Sequence, residues 1–202
     1  SHGTAMHPET LDDYLNDIKQ GVPRMVGHVV HGQIAAGRTF DGYIEQNDPL
    51  ADGHPFEVLY AKSYMPRNQQ LANDLNTDAI ISAMEAGTVF GESIGFSDRP
   101  GSIPATWACS ICGSPYEIDW FWLIPTCDHI PGKWYDEEGN LMPDGEGRFN
   151  FLWIRNAQLA EISLVFVGSA QDSTVQRNPR VRTMGLDVPL RAGDISWTRS
   201  ES

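Results

Sequence analysis

Leu159-Ala160-Glu161-Ile162-Ser163-Leu164-Val165-Phe166-Val167 is the clearest strand in the chain, rich in β-branched and aromatic side chains, with one carboxylate and one hydroxyl set among them. Working outward, residues 22–30, 37–45, 56–64, 89–96 and 149–154 also read as extended, separated by turn-rich stretches such as NDPLADGH at 47–54. Two helices interrupt them. Residues 8–20 (PETLDDYLNDIKQ) carry Leu11, Tyr14, Leu15 and Ile18 at helical spacing, with acids near the start and Gly21 as the stop. The second starts at Asn76-Thr77-Asp78, lays Ile80, Ile81 and Met84 on its inner face and ends at Gly87. Strands separated by single helices, without a regular βαβ rhythm, define an α+β chain whose sheet or small barrel is mainly antiparallel.

The 202 residues suit one domain, or one domain with an insert. We expect the main domain to comprise residues 7–96 and 148–170. Between 97 and 147 the composition turns to Pro, Gly, Cys, Trp and acids with little periodicity, which marks an insert. Residues 171–202 are polar, charged and proline-bearing and are expected to form a mobile tail. Residues 1–6 (SHGTAM) read as a cloning remnant ending at a start codon and are set aside.

The net charge of −13 disfavours direct nucleic-acid binding, because only Arg177, Arg180 and Arg182 form anything like a basic patch. With 41% apolar residues but no run long enough for a bilayer, the chain reads as soluble, with no membrane partner.

Three cysteines, an odd number close together, suit a metal better than disulfides and imply a reducing, intracellular setting. Cys109-Ser110-Ile111-Cys112 is followed after fourteen intervening residues by Cys127-Asp128-His129, a complete tetrahedral donor set for zinc. With four protein ligands no position stays open for substrate, so the metal is expected to be structural, holding together a Trp- and Pro-rich insert. Unligated buried cysteines beside a surface histidine are the alternative.

Ser93 lies in an apolar strand two residues before Gly95; a nucleophilic role requires a base within reach and a group to orient that base. His28 and His31 are the candidate bases. If residues 26–31 are extended, the two imidazoles point to opposite faces and only one can meet Ser93. Glu161 stands among apolar neighbours, where a carboxylate must be paired or face water. Glu92, just before Ser93, could face solvent or burden the nucleophile with its charge.

Several stretches together, in order, resemble the prohead (capsid maturation) serine protease family of tailed phages: Gly21-Val22-Pro23-Arg24-Met25-Val26-Gly27-His28, Gly37-Arg38-Thr39-Phe40-Asp41-Gly42, Asn76-Thr77-Asp78, Ser93-Ile94-Gly95-Phe96, the Cys/His motifs, and Ala157-Gln158-Leu159-Ala160-Glu161-Ile162-Ser163-Leu164-Val165. The resemblance runs from about Gly21 to Ser169 and includes a branch with a zinc insert. It implies a herpesvirus assembly protease-like fold, a small antiparallel barrel with surrounding helices. It further implies Ser93 as nucleophile, His28 as base with His31 as rival, and Glu161 as the orienting acid with Asp41 next in line. Implied zinc ligands are Cys109, Cys112, Cys127 and His129. Scaffold and major capsid proteins would be the substrates and partners, with room for portal contacts and a homo-oligomer, in host cytoplasm inside the immature phage head. Val29 and Val30 after His28 depart from the family pattern, and a non-enzymatic capsid-assembly protein on the same scaffold is the competing expectation.

Overall fold

The computed structural model describes residues 4–28, 34–50, 54–72, 75–88, 91–101, 105–119, 122–165, 174–177, 186–188 and 194–197. From the N-terminus run β1 (Thr4–Met6), α1 (Pro8–Gln20), β2 (Val22–Val26), β3 (Gly37–Asn47), β4 (Phe56–Tyr64), β5 (Gln70–Ala72), β6 (Leu75–Asn76), α2 (Thr77–Glu85) and β7 (Gly91–Asp98). Then come β8 (Thr106–Cys109), β9 (Pro115–Asp119), β10 (Trp122–Pro125), β11 (Trp134–Tyr135), β12 (Leu141–Met142), β13 (Arg148–Phe149), β14 (Leu152–Arg155) and β15 (Ala157–Val165). The C-terminal stretch adds β16 (Thr174–Arg177), β17 (Leu186–Val188) and β18 (Asp194–Trp197).

Eight strands in the order β17-β4-β3-β2-β15-β7-β16-β18 make the main sheet, which curls until its end strands β17 and β18 approach each other. The α+β expectation holds. Among the described strand pairs only β1/β14, β2/β15 and β16/β18 are parallel. Within the curl, α1 lays Leu11, Tyr14 and Ile18 on Val22, Leu59, Leu159 and Ile162. Residues at i, i+3 and i+7 form that stripe, and each fully buried aliphatic side chain contributes about 1.5–3 kcal/mol. His7 caps the helix at its start, and Gly21 ends it in a left-handed conformation (φ 98°) that favours glycine. The smaller α2 packs Ile80 near Leu164, capped by the Asn76 side chain accepting from the Ala79 amide.

Two polar features shape the curl. Arg24 on β2, fully buried, pairs with Glu92 on β7 across β15 and donates to Ser63 Oγ on β4 at 3.1 Å. Burial alone lowers its pKa to about 9, so the guanidinium stays charged at neutral pH. The second feature is a β-bulge in β15 between Leu159 and Glu161. An extra residue there inverts the alternation, so Leu159 and Ile162 both face α1 while Glu161 turns to the other side. The Leu159 amide donates to Asp17 Oδ2 at 2.9 Å, and Arg99 holds both oxygens of Asp17.

Several expectations change. The strand expected over 22–30 stops at Val26, because Gly27 (φ 70°) and His28 (φ 58°) turn the chain in left-handed conformations. The extended geometry assumed for residues 26–31 therefore does not apply to His28, and His31 lies outside the described residues. Residues 4–6, set aside as a remnant, form β1 along β14, since strand addition uses main-chain hydrogen bonds and asks little of the side chains. The stretch from 171 onward, read as a tail, carries three short strands. Finally, the aperiodic insert holds β8, β9 and β10, which join β14 and β1 in a five-stranded sheet, and β11 and β12, which form a small sheet with β13 just beyond it.

Candidate functional site

Three neighbouring strands, β2, β15 and β7, carry Ser93, Glu161 and the chain that leads into His28. β15 and β7 pair antiparallel with Ser163 opposite Ser93 and Glu161 opposite Gly95. Directly opposed residues share a face with Cβ atoms about 4.5–5.5 Å apart, so Ser93, Ser163 and Glu161 form one patch on the side away from α1. Glu92, one residue earlier, points the other way into its pair with Arg24. Its charge neither faces water nor shares the face of Ser93.

β2 runs parallel to β15 on the opposite side from β7, with Met25 level with Ser163. Past Val26 the chain turns over the end of that pairing, held by Gly27 N–H donating to Leu164 O at 2.9 Å and His28 N–H donating to Ser163 Oγ at 3.0 Å. This turn sets the imidazole above the patch. His28 Nδ1 lies 2.5 Å from Glu161 Oε1, and Ser163 Oγ lies 2.5 Å from Glu161 Oε2. Glu161 is nearly buried, at 5% side-chain exposure, whereas His28 keeps 42%. A buried carboxylate that accepts from both sides is satisfied, and an imidazole donating through Nδ1 keeps Nε2 as its basic nitrogen.

Gly95 makes room for this arrangement. A Cβ there would lie 2.4 Å from Glu161 Oε1, so the carboxylate occupies the space a side chain would fill. Asp41, the second choice for the acid, is engaged elsewhere: it accepts from Lys62 Nζ at 3.0 Å, which holds its carboxyl below the usual range. His54 is buried against the Phe151 and Trp153 rings, outside this patch.

The insert carries the second cluster. Cys109, Cys112, Cys127 and His129 present ligand atoms that all lie within 4.8 Å of one another. Cys109 ends β8 and is buried, Cys112 is exposed on the following turn, and Cys127 and His129 follow β10 half-buried. Such a set can hold a metal ion. His129 Nδ1 is buried with no hydrogen-bond partner, which a coordinated cation would supply. Burial works against the Cys112 thiolate, but hydrogen bonds from the Ser114 hydroxyl and backbone outweigh it and bring the pKa down to about 6. Burial pushes the Cys127 thiol up to about 11. Asn150, fully buried, lies 3.4 Å from Cys109 Sγ through Oδ1 and supports the cluster from β14's side.

Among the described residues no helix is long and apolar enough to cross a membrane. None of the protein-family models, curated proteins and solved structures compared with this chain matches it.

Sequence reasoning noted Gly95 beside Ser93 without its contact to Glu161, and it missed the contacts of Ser163 and the bulge. Ser163 stood two residues after Glu161 and Gly95 two after Ser93, a period-2 spacing that already put each pair on one face. The bulge has no equally local signature.

Proposed function

We propose that this chain is a serine endopeptidase of the prohead-maturation type, with Ser93 as nucleophile, His28 as general base and Glu161 as the orienting acid, and with a structural zinc in its insert. The observation that carries the reading is the hydrogen bond from His28 to Glu161, residues 133 apart in sequence, on the face of the sheet that also bears Ser93.

In this reading His28 Nε2 takes the Ser93 proton as the hydroxyl oxygen attacks the scissile carbonyl. The protonated imidazole, stabilised by Glu161, returns the proton to the leaving amine as the peptide bond breaks. Water, deprotonated by the same nitrogen, then hydrolyses the acyl-enzyme ester. Substrates would be scaffold and capsid-protein segments within an immature phage head, and the chain itself. The curled, mainly antiparallel sheet is compatible with the herpesvirus assembly protease-like barrel that the sequence resemblance implies. For the metal, three thiolates and one imidazole favour zinc over the harder cations, and a closed set of four leaves it no catalytic position.

Co-expression with scaffold and capsid proteins tests the peptidase reading. Wild type is expected to yield fragments and to react with a serine-directed fluorophosphonate, and Ser93→Ala to do neither. Identical fragments from both would leave a non-enzymatic assembly protein as the reading.

A further inference from the structure

We infer that Ser163 is a positioning residue that fixes the placement of His28 and of the Glu161 carboxylate that sets its tautomer. The inference rests on the peptidase reading for its function but on geometry for its physics. Three contacts close a ring: His28 N–H to Ser163 Oγ at 3.0 Å, Ser163 Oγ to Glu161 Oε2 at 2.5 Å, and His28 Nδ1 to Glu161 Oε1 at 2.5 Å.

The directions in this ring follow from chemistry. A backbone N–H can only donate, so Ser163 Oγ must accept from His28 and has its single proton left to give. That proton goes to Glu161 Oε2, and the carboxylate, an acceptor only, takes the imidazole proton at Oε1. Nδ1 therefore carries hydrogen and Nε2 carries the lone pair. The Glu161 carboxylate sets the tautomer of the ring, and the relay from the His28 amide through Ser163 to Glu161 holds carboxylate and imidazole in place.

The ring also holds an unfavourable turn. His28 sits at φ 58°, uncommon for a residue with a side chain, and the Ser163 hydroxyl is the acceptor that pins its amide there. Ser163 is fully buried, so water does not replace the hydroxyl if it is removed. Its place on β15 opposite Ser93 ties base and nucleophile to the same pair of strands.

Ser163→Ala and Ser163→Thr, compared with wild type, test this with two independent readouts. In proton NMR of isotope-labelled protein, the short Nδ1–H to Glu161 contact is expected to give a strongly downfield ring-proton resonance, assigned by its loss in His28→Gln. Ser163→Ala should lose or broaden it and Ser163→Thr, which keeps the hydroxyl, should retain it. In peptide cleavage, Ser163→Ala should lower kcat on the order of 10- to 100-fold with KM nearly unchanged, the scale of a small misplacement of a catalytic group. Retention of both the resonance and kcat in Ser163→Ala overturns the inference. So does their loss in a folded Ser163→Thr, which also decides the matter if the alanine variant fails to fold. The resonance is read without any peptidase activity, so an inactive wild type would sink the peptidase reading and leave the relay still tested.

Discussion

The two sites are built on opposite principles. The Cys/His cluster draws its ligands from twenty-one consecutive positions, Cys109 to His129, and sits on short strands whose buried apolar residues amount to a small group around Cys109, Tyr116 and Leu152. The His28–Glu161 pair joins residues 133 apart and rests on a curled sheet filled by α1, α2 and the Arg24–Glu92 pair. A local site on a thin core depends on its ion for order, whereas a long-range site inherits order from the sheet beneath it.

Metal removal should break that contrast open most widely. Binding at structural zinc sites is worth roughly 10–16 kcal/mol, well beyond what so small a core can replace. Treatment with a high-affinity chelator is expected to expose amides of β8 and β9 to hydrogen exchange while those of β15 stay protected. Simultaneous melting of both regions would mean that the sheets form one cooperative unit. No change in either would remove the metal from the account.

The next effect belongs to the sheet. Glu161→Gln keeps the shape of the side chain but abolishes the charge that, in the proposed peptidase, stabilises the imidazolium and favours the useful tautomer. Turnover of a cleavable capsid peptide should fall by about four orders of magnitude, as when the orienting acid of a serine triad becomes an amide. Thermal unfolding should change far less, and full activity would remove Glu161 from its role.

What was legible in sequence divides along the same line. The Cys/His cluster could be read directly, because Cys-x-x-Cys and Cys-x-His spacings are local and chemically specific. Glu161 and Ser93 could be singled out as a carboxylate and a hydroxyl in apolar strands, but nothing local said that their strands pair with Ser163 opposite Ser93. The bulge that turns Glu161 to the outer face arises from pairing against β7, and the helix that satisfies it supplies Asp17 from 142 residues away. Helix α1 and strand β4 were readable to the residue because caps and alternation mark their ends. Strand β2 was read too long, since Val29 and Val30 favour extension and the left-handed turn at His28 is imposed by the β15 contacts.

A smaller effect probes what holds the sheet in place of a metal. Arg24→Met leaves the Glu92 carboxylate buried without its partner, a change that costs about 3–5 kcal/mol. Arg24→Met combined with Glu92→Leu removes both charges and should recover most of that loss in urea denaturation. If the single and double variants are equally unstable, the pair acts through shape alone and the sheet lacks an electrostatic counterpart to a cation in the insert.

The smallest effects come from a device the two sites share, a glycine whose missing side chain is occupied by a functional group. At Gly95 a Cβ would lie 2.4 Å from Glu161 Oε1 and 3.0 Å from its Cδ, and at Gly139 it would lie 2.9 Å from His129 Nε2. The two differ in backbone. Gly139 adopts φ 86°, where an L side chain is strained by about 1–2 kcal/mol, whereas Gly95 is not among the left-handed residues and needs glycine for space alone. Gly95→Ala should therefore displace the carboxylate and lower turnover roughly 10- to 100-fold, with an overpacking cost of about 1–3 kcal/mol. Gly139→Ala should instead weaken metal affinity, about 10-fold as for loss of a supporting contact, and leave turnover close to wild type. Metal competition with a chromophoric chelator and peptide cleavage, measured on both variants, separate the outcomes. If Gly139→Ala slows turnover as much as Gly95→Ala does, the insert and the sheet are coupled, and the cation reaches the reactive patch through the strands that join them.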